Sequence, residues 1–198
     1  MSYNKNYSEW SEDPYAYWDQ KSKNITWIKP YKKTLHKSDD CYKWFYKGKL
    51  NTSYNCLDKH VKNGKGDKVA IFYDSPITNT KEKITYSELL AKVSALAASL
   101  NNIGVVKGDR VVLYMPMIPE VIVSMLACAR IGAVHSVVFG GFAAEELASR
   151  ISDVSPKIII SASCGLEPNK IINYKEILDK ALTFTTHKPL KQIIYQRQ

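Results

Sequence analysis

Two adjacent glycines, Gly140 and Gly141, follow the apolar run AVHSVVF and precede a helix-periodic segment from Ala143 to Val154. Open α/β sheets bind ligands at the C-terminal ends of their strands. Glycine there lets the backbone approach a ligand closely, and the N-terminus of the next helix favours anions. The pair therefore fits a thin or anionic ligand. It also fits a tight strand-to-helix turn, since two glycines do not make a G-x-G-x-x-G fingerprint. Other candidates read as structural. His135 stands among apolar strand neighbours and fits a packed core histidine. Ser161 and Ser163 lack the G-x-S-x-G context of a nucleophile. Glu145 and Glu146 fit first-turn acids favoured by the helix dipole. The four cysteines, Cys41, Cys56, Cys128 and Cys164, form no C-x-x-C pair and lack metal-ligand spacing. They read as free, buried thiols in a reducing cytoplasm.

The elements that must position the glycines alternate between strand and helix from Asp67 onward. Lys68 to Asp74 reads as a strand, Pro76 to Thr80 as a turn, and KEKIT leads back out. Thr85-Tyr86-Ser87-Glu88 is a capping box. It opens a helix with Leu89, Val93, Leu96, Ala97 and Leu100 on one face, and Gly104 lies beyond its end. Arg110 to Tyr114 is a strand. Pro119 starts a helix that Gly132 ends, and the glycine-bearing strand and helix follow. Pro156 blocks that helix, KIIIS is a buried strand, and Ser163 to Lys170 is a loop. A helix through Leu182 and a last strand, LKQIIY, complete the order. Continuous Val/Ile runs between helices imply a mainly parallel sheet with helices on both faces.

Residues 1–66 differ. They hold Trp10, Trp18, Trp27 and Trp44 with many tyrosines, and have too little aliphatic content for a layered core. This irregular stretch is expected to wrap over another domain with aromatics as anchors. Asp13-Pro14 reads as an N-cap and first helical position, opening a short helix through Trp18. A second short helix is expected near Asn51 to Val61, ending by Gly64.

Composition narrows the classes. With 45% hydrophobic residues the chain can pack a core. Val121 to Ala144 is broken by Arg130 and His135, whereas a membrane span needs about 20 apolar residues. The N-terminal residues carry acids and aromatics where targeting peptides need an apolar or Arg-rich run, which favours a cytoplasmic protein. The net charge of +9 is spread over scattered lysines, without the clustering or signature of a nucleic-acid binder.

The run KGDRVVLYMPMIPEVIVSMLACARIGAVHSVVFGGFAAEELASRI resembles the short-chain, AMP-forming acyl-CoA synthetases of the acetate and propionate type. The capped helix ITYSELLAKVSALAASLNNIG and the lead WSEDPYAYWDQKSKNITW resemble them too. The continuation KIIISASCGLEPNKIINYKEILDKAL is more similar to the propionate-type branch. The resemblance implies an acyl-CoA synthetase N-terminal extension over residues 1–66, then the first part of the AMP-binding domain over residues 67–198. It implies ATP, CoA, magnesium and a short carboxylate as the family's substrates and cofactor, with no nucleic acid and no membrane. It implies that Gly140 and Gly141 lie along the path of the CoA pantetheine. In acetate-type members two arginines meet CoA phosphates where this sequence has Glu167 and Lys170, so Lys170 keeps a point charge there and Glu167 does not. The phosphate loop, the carboxylate pocket and the mobile C-terminal domain match nothing in this sequence. No catalytic residue and no metal ligand is therefore expected here, and the chain alone is expected to be inactive, with a downstream polypeptide as a possible complement. The alternative readings are a stand-alone CoA-binding module, a non-enzymatic interaction protein, and the product of an interrupted gene.

Overall fold

The computed structural model describes residues 3–38 and 41–197. The chain separates into two compact units, residues 1–55 and 56–198.

In the first unit α1 (Tyr3–Glu12) and α2 (Pro14–Ser22) are joined at Asp13. The Asp13 carboxylate accepts from the amides of Tyr15 and Ala16, both at 3.0 Å, and Pro14 takes the first helical position. A hairpin of β1 (Lys33–Ser38) and β2 (Cys41–Tyr46) follows. The aliphatic residues do not hold this unit together. Trp27, Tyr31 and Phe45 do, with ring centroids 5.1–5.5 Å apart. Gly48 is required beside them, because a Cβ there would stand 2.7 Å from the Trp27 ring.

Helical turns lead from the first unit into the second and include two π-helical stretches, Tyr54–Asp58 and Val61–Lys65. An antiparallel hairpin, β3 (Val69–Ser75) and β4 (Thr80–Thr85), leads into α3 (Tyr86–Asn102). The capping box is formed: Thr85 Oγ1 accepts from the Glu88 amide, and the Glu88 carboxylate accepts from the Thr85 amide. Then come β5 (Arg110–Tyr114), α4 (Pro119–Ile131), β6 (Val134–Val138), α5 (Ala144–Val154) and β7 (Ile158–Ala162). A short hairpin, β8 (Gly165–Glu167) and β9 (Lys170–Ile172), precedes α6 (Tyr174–Phe184) and β10 (Lys191–Tyr195).

Strands β10, β7, β5 and β6 form one parallel sheet in that order. Alternate residues of β5 feed two cores. Val111 and Leu113 pack with residues of α3 and α4, while Val112 and Tyr114 pack with residues of α5 and α6. The expected parallel, helix-covered sheet is thus present, and β3–β4 is a separate hairpin. Gly132 has φ +77 and closes α4 in the left-handed conformation that glycine adopts without strain.

One ion pair ties the start of this unit to α4. Arg130 donates to both Asp58 oxygens, at 2.7 and 3.0 Å. That bond holds the Asp58 carboxyl below its ordinary pKa, against the opposing effect of burial. A depressed folded-state pKa stabilises the fold above the unfolded pKa, and the gain is lost as pH falls through the folded value. Asp58→Asn is therefore expected to cost about 1–2 kcal/mol at pH 7, a charged hydrogen bond reduced by partial exposure. Urea unfolding of both proteins between pH 7 and about 3 should show the gap closing in the acidic range.

Candidate functional site

The C-terminal ends of β5 and β6 open into one cavity of about 470 Å³. Its walls come from Met115 and Pro116 after β5, from Val138 at the end of β6 and Phe139 to Gly141 after it, and from Glu167, Ile172 and Tyr174 near the β8–β9 hairpin. The cavity lies where the open-sheet rule places a ligand.

Two tyrosines shape it. Tyr114 is the last residue of β5 and is fully buried; its hydroxyl reaches the carbonyls of Phe142 at 3.3 Å and Gly140 at 3.5 Å. The Tyr174 ring lies 4.8 Å from the Tyr114 ring. It fills a slot between two glycines: a Cβ on Gly140 would stand 1.9 Å from its hydroxyl oxygen, and one on Gly165 would stand 2.6 Å from its ring. Burial raises the pKa of both phenols, that of Tyr114 to about 12. Both stay protonated at neutral pH, so Tyr174 acts as a wall and Tyr114 as a hydrogen-bond donor behind it, rather than as bases.

The glycine pair divides by what surrounds each member. Neither glycine has a positive φ, so space rather than backbone conformation demands them. Gly140 backs onto buried Tyr174. Gly141 backs onto Phe139, 2.5 Å from a Cβ, and Phe139 is 71% exposed and free to swing. A side chain at Gly141 has room made for it, whereas one at Gly140 meets a fixed ring.

Lys170 and Glu167 face each other across the hairpin turn. Lys170 Nζ is 3.5 Å from Glu167 Oε2, and both side chains are at least half exposed. Glu167 lines the cavity. The structure thus brings Gly140, Gly141 and Glu167 to one cavity and places Lys170 beside Glu167.

The remaining candidates do not line the cavity. The Ser161 hydroxyl is buried and donates to the Tyr114 carbonyl at 2.6 Å. His135 is half-buried on β6, and burial lowers its pKa. Burial pushes the Cys128 thiol up to about 12, which leaves it unreactive. The expectation of four buried thiols holds for Cys128 alone. Cys41 and Cys56 are exposed and Cys164 is intermediate, because Cys41 lies on a hairpin strand with an open face. Among the described residues no group of three or more His, Cys, Asp or Glu is placed to hold a metal, and no helix is long and apolar enough to cross a membrane.

Sequence reasoning missed Tyr114, Tyr174 and the β8–β9 hairpin. The hairpin had a signal, since GLEPNKII carries Pro168-Asn169 between two short segments, the chemistry of a tight turn. The tyrosine pair had none, because its members are sixty residues apart in sequence and meet only across the sheet.

Comparison with known proteins covers both units. The family model described as acetyl-coenzyme A synthetase N-terminus matches residues 3–56, and the AMP-binding enzyme model matches residues 57–195. Acyl-CoA synthetase short-chain family member 3, mitochondrial, of Homo sapiens is 52% identical over 93% of this chain and 27% of its own length. The acetyl-coenzyme A synthetase of Desulfatibacillum aliphaticivorans is 45% identical over 91% of this chain and 28% of its own length. The chain therefore spans little more than a quarter of these relatives. Acetoacetyl-CoA synthetase from Streptomyces lividans has the same fold over 94% of this chain and 31% of its own, with TM-score 0.80 at 24% identity.

Proposed function

Because the chain belongs to the AMP-binding enzyme family, we propose that it forms the N-terminal part of a short-chain acyl-CoA synthetase. The reaction proposed for the whole protein joins propionate or acetate to CoA. ATP and the carboxylate give an acyl-adenylate and pyrophosphate, and the CoA thiol then displaces AMP. The physical need is leaving-group activation, because a free carboxylate is a poor electrophile. In this proposal residues 1–66 are the family's N-terminal extension and residues 67–198 begin the AMP-binding domain.

The observation that carries the proposal is the cavity at the ends of β5 and β6. Its backbone floor at Gly141 and its apolar walls suit a thin, flexible arm such as pantetheine. Tyr174 and Tyr114 fix the shape of the turn that makes the floor. Lys170 stands beside the cavity through its contact with Glu167, and it would exchange that carboxylate for a CoA phosphate. ATP and magnesium are assigned to residues outside this chain, since no segment here has a phosphate-loop pattern.

The test joins the chain to the portion of the D. aliphaticivorans enzyme that lies beyond the matched stretch and follows CoA-dependent AMP release. Lys170→Ala is expected to raise the KM for CoA by roughly two- to tenfold with kcat little changed, as one exposed charged contact allows. An unchanged KM would return Lys170 to a surface role.

A further inference from the structure

Of the residues that line the cavity, only Glu167 and Tyr174 carry a side-chain oxygen. Ligand sites are mostly apolar, and their few polar groups fix the orientation of what binds. Glu167 already has a partner in Lys170, and its side chain is half exposed. Tyr174 differs on both counts. It is 5% exposed, and among the described residues its hydroxyl has no hydrogen-bond partner. The neighbouring phenol of Tyr114, by contrast, reaches two carbonyls. Nor is the Tyr174 hydroxyl sealed in: among the described residues the one sealed side-chain polar atom without a partner is Ser53 Oγ. The hydroxyl oxygen stands 1.9 Å from where a Cβ of Gly140 would be, so it lies at the glycine floor of the cavity. A donor fixed on a pinned ring and left unpaired is ready for an acceptor on a ligand.

The surroundings say which acceptor. The Glu167 carboxylate and burial both disfavour the phenolate, so the hydroxyl keeps its proton and donates. Glu167 is also the only charged residue in the lining, and its sign repels a phosphate. The other walls near Tyr174, at Val138, Phe139 and Ile172, are apolar. A neutral carbonyl on a slender, mostly apolar chain fits this combination. We propose that the Tyr174 hydroxyl binds an amide carbonyl of the pantetheine arm, holding the arm at Gly140 while the CoA phosphates stay outside with Lys170. This rests on the function proposed above and names the group that the cavity recognises.

The probe is pantetheine, which has the arm and no nucleotide. Calorimetric titration compares the full chain with its Tyr174→Phe variant, which keeps the ring and loses the donor. The variant is expected to bind roughly two- to tenfold more weakly, as the loss of one neutral hydrogen bond allows, with a melting temperature nearly equal to the parent's. In the chain joined to the remainder of the D. aliphaticivorans enzyme, Tyr174→Phe is expected to raise the KM for CoA and for pantetheine by the same roughly two- to tenfold, with kcat within about twofold. Lys170→Ala is expected to raise the KM for CoA alone. If pantetheine binds the chain alone too weakly to titrate, titration of the joined protein supplies the same comparison. Unchanged pantetheine affinity in Tyr174→Phe overturns the proposal. So does a variant that melts earlier and loses kcat, since that assigns Tyr174 to packing. Weaker pantetheine binding by Tyr174→Phe without CoA-dependent AMP release in the joined parent keeps the donor and refutes the function; AMP release with an insensitive KM does the reverse.

Discussion

Gly140→Ala is expected to destabilise the chain by about 1–3 kcal/mol, the usual cost of overpacking a filled site. The new methyl group would stand 1.9 Å from the Tyr174 hydroxyl oxygen and 2.8 Å from the ring carbon that bears it. Tyr174 is buried, pinned by Tyr114 and flanked by Gly165, so it has nowhere to go. Tyr174→Phe removes the closest atom and should recover part of the loss in the double variant, a coupling that a cycle measures directly. Gly141→Ala should cost well under about 1 kcal/mol, because exposed Phe139 can turn aside. Equal losses at the two glycines would contradict the packing described for them.

The second large effect concerns chemistry rather than folding. In the chain joined to the remainder of a relative, Gly141→Leu should leave acyl-adenylate formation nearly intact and slow thioester formation at least about tenfold, or about 1.4 kcal/mol in barrier. A side chain at Gly141 stands against Phe139, and both line the cavity proposed for the pantetheine arm; adenylation precedes the entry of CoA. Pyrophosphate exchange and acyl-CoA release separate the two steps. The family resemblance implies the same place, along the pantetheine path, for both glycines. Gly141 gives the cleaner test of that role, since a side chain at Gly140 would meet the buried Tyr174 ring.

The legible parts of the fold were those with local signals. Thr85 and Glu88 announce their capping box, Asp13-Pro14 its helix start, and Gly132 its helix end, because each acts within one turn of backbone. The Val/Ile runs of β5 and β7 announce a sheet buried on both faces. What stayed hidden depends on distant partners. Helix α1 buries no residue, so no apolar period marks it; Tyr3, Tyr7 and Trp10 line one face instead, with neighbouring rings in contact. The β1–β2 hairpin packs through Trp44 and Phe45, whose neighbours Trp18, Trp27 and Tyr31 come from other segments. Of the residues the sequence singled out, Gly140, Gly141 and Glu167 line the cavity, and Lys170 lies beside Glu167. The sequence did not reveal that Tyr174 gives Gly140 its reason, nor that Glu167 holds Lys170.

The central claim is that this chain supplies one wall of a CoA path, while ATP and carboxylate activation belong to segments outside it. The most direct measurement incubates the purified 198-residue chain with ATP, magnesium, CoA and either propionate or acetate, and follows AMP and pyrophosphate. The account predicts no release above the enzyme-free blank for the chain alone, and CoA-dependent AMP release once it is joined to the remainder of a relative. Turnover by the chain alone would contradict it.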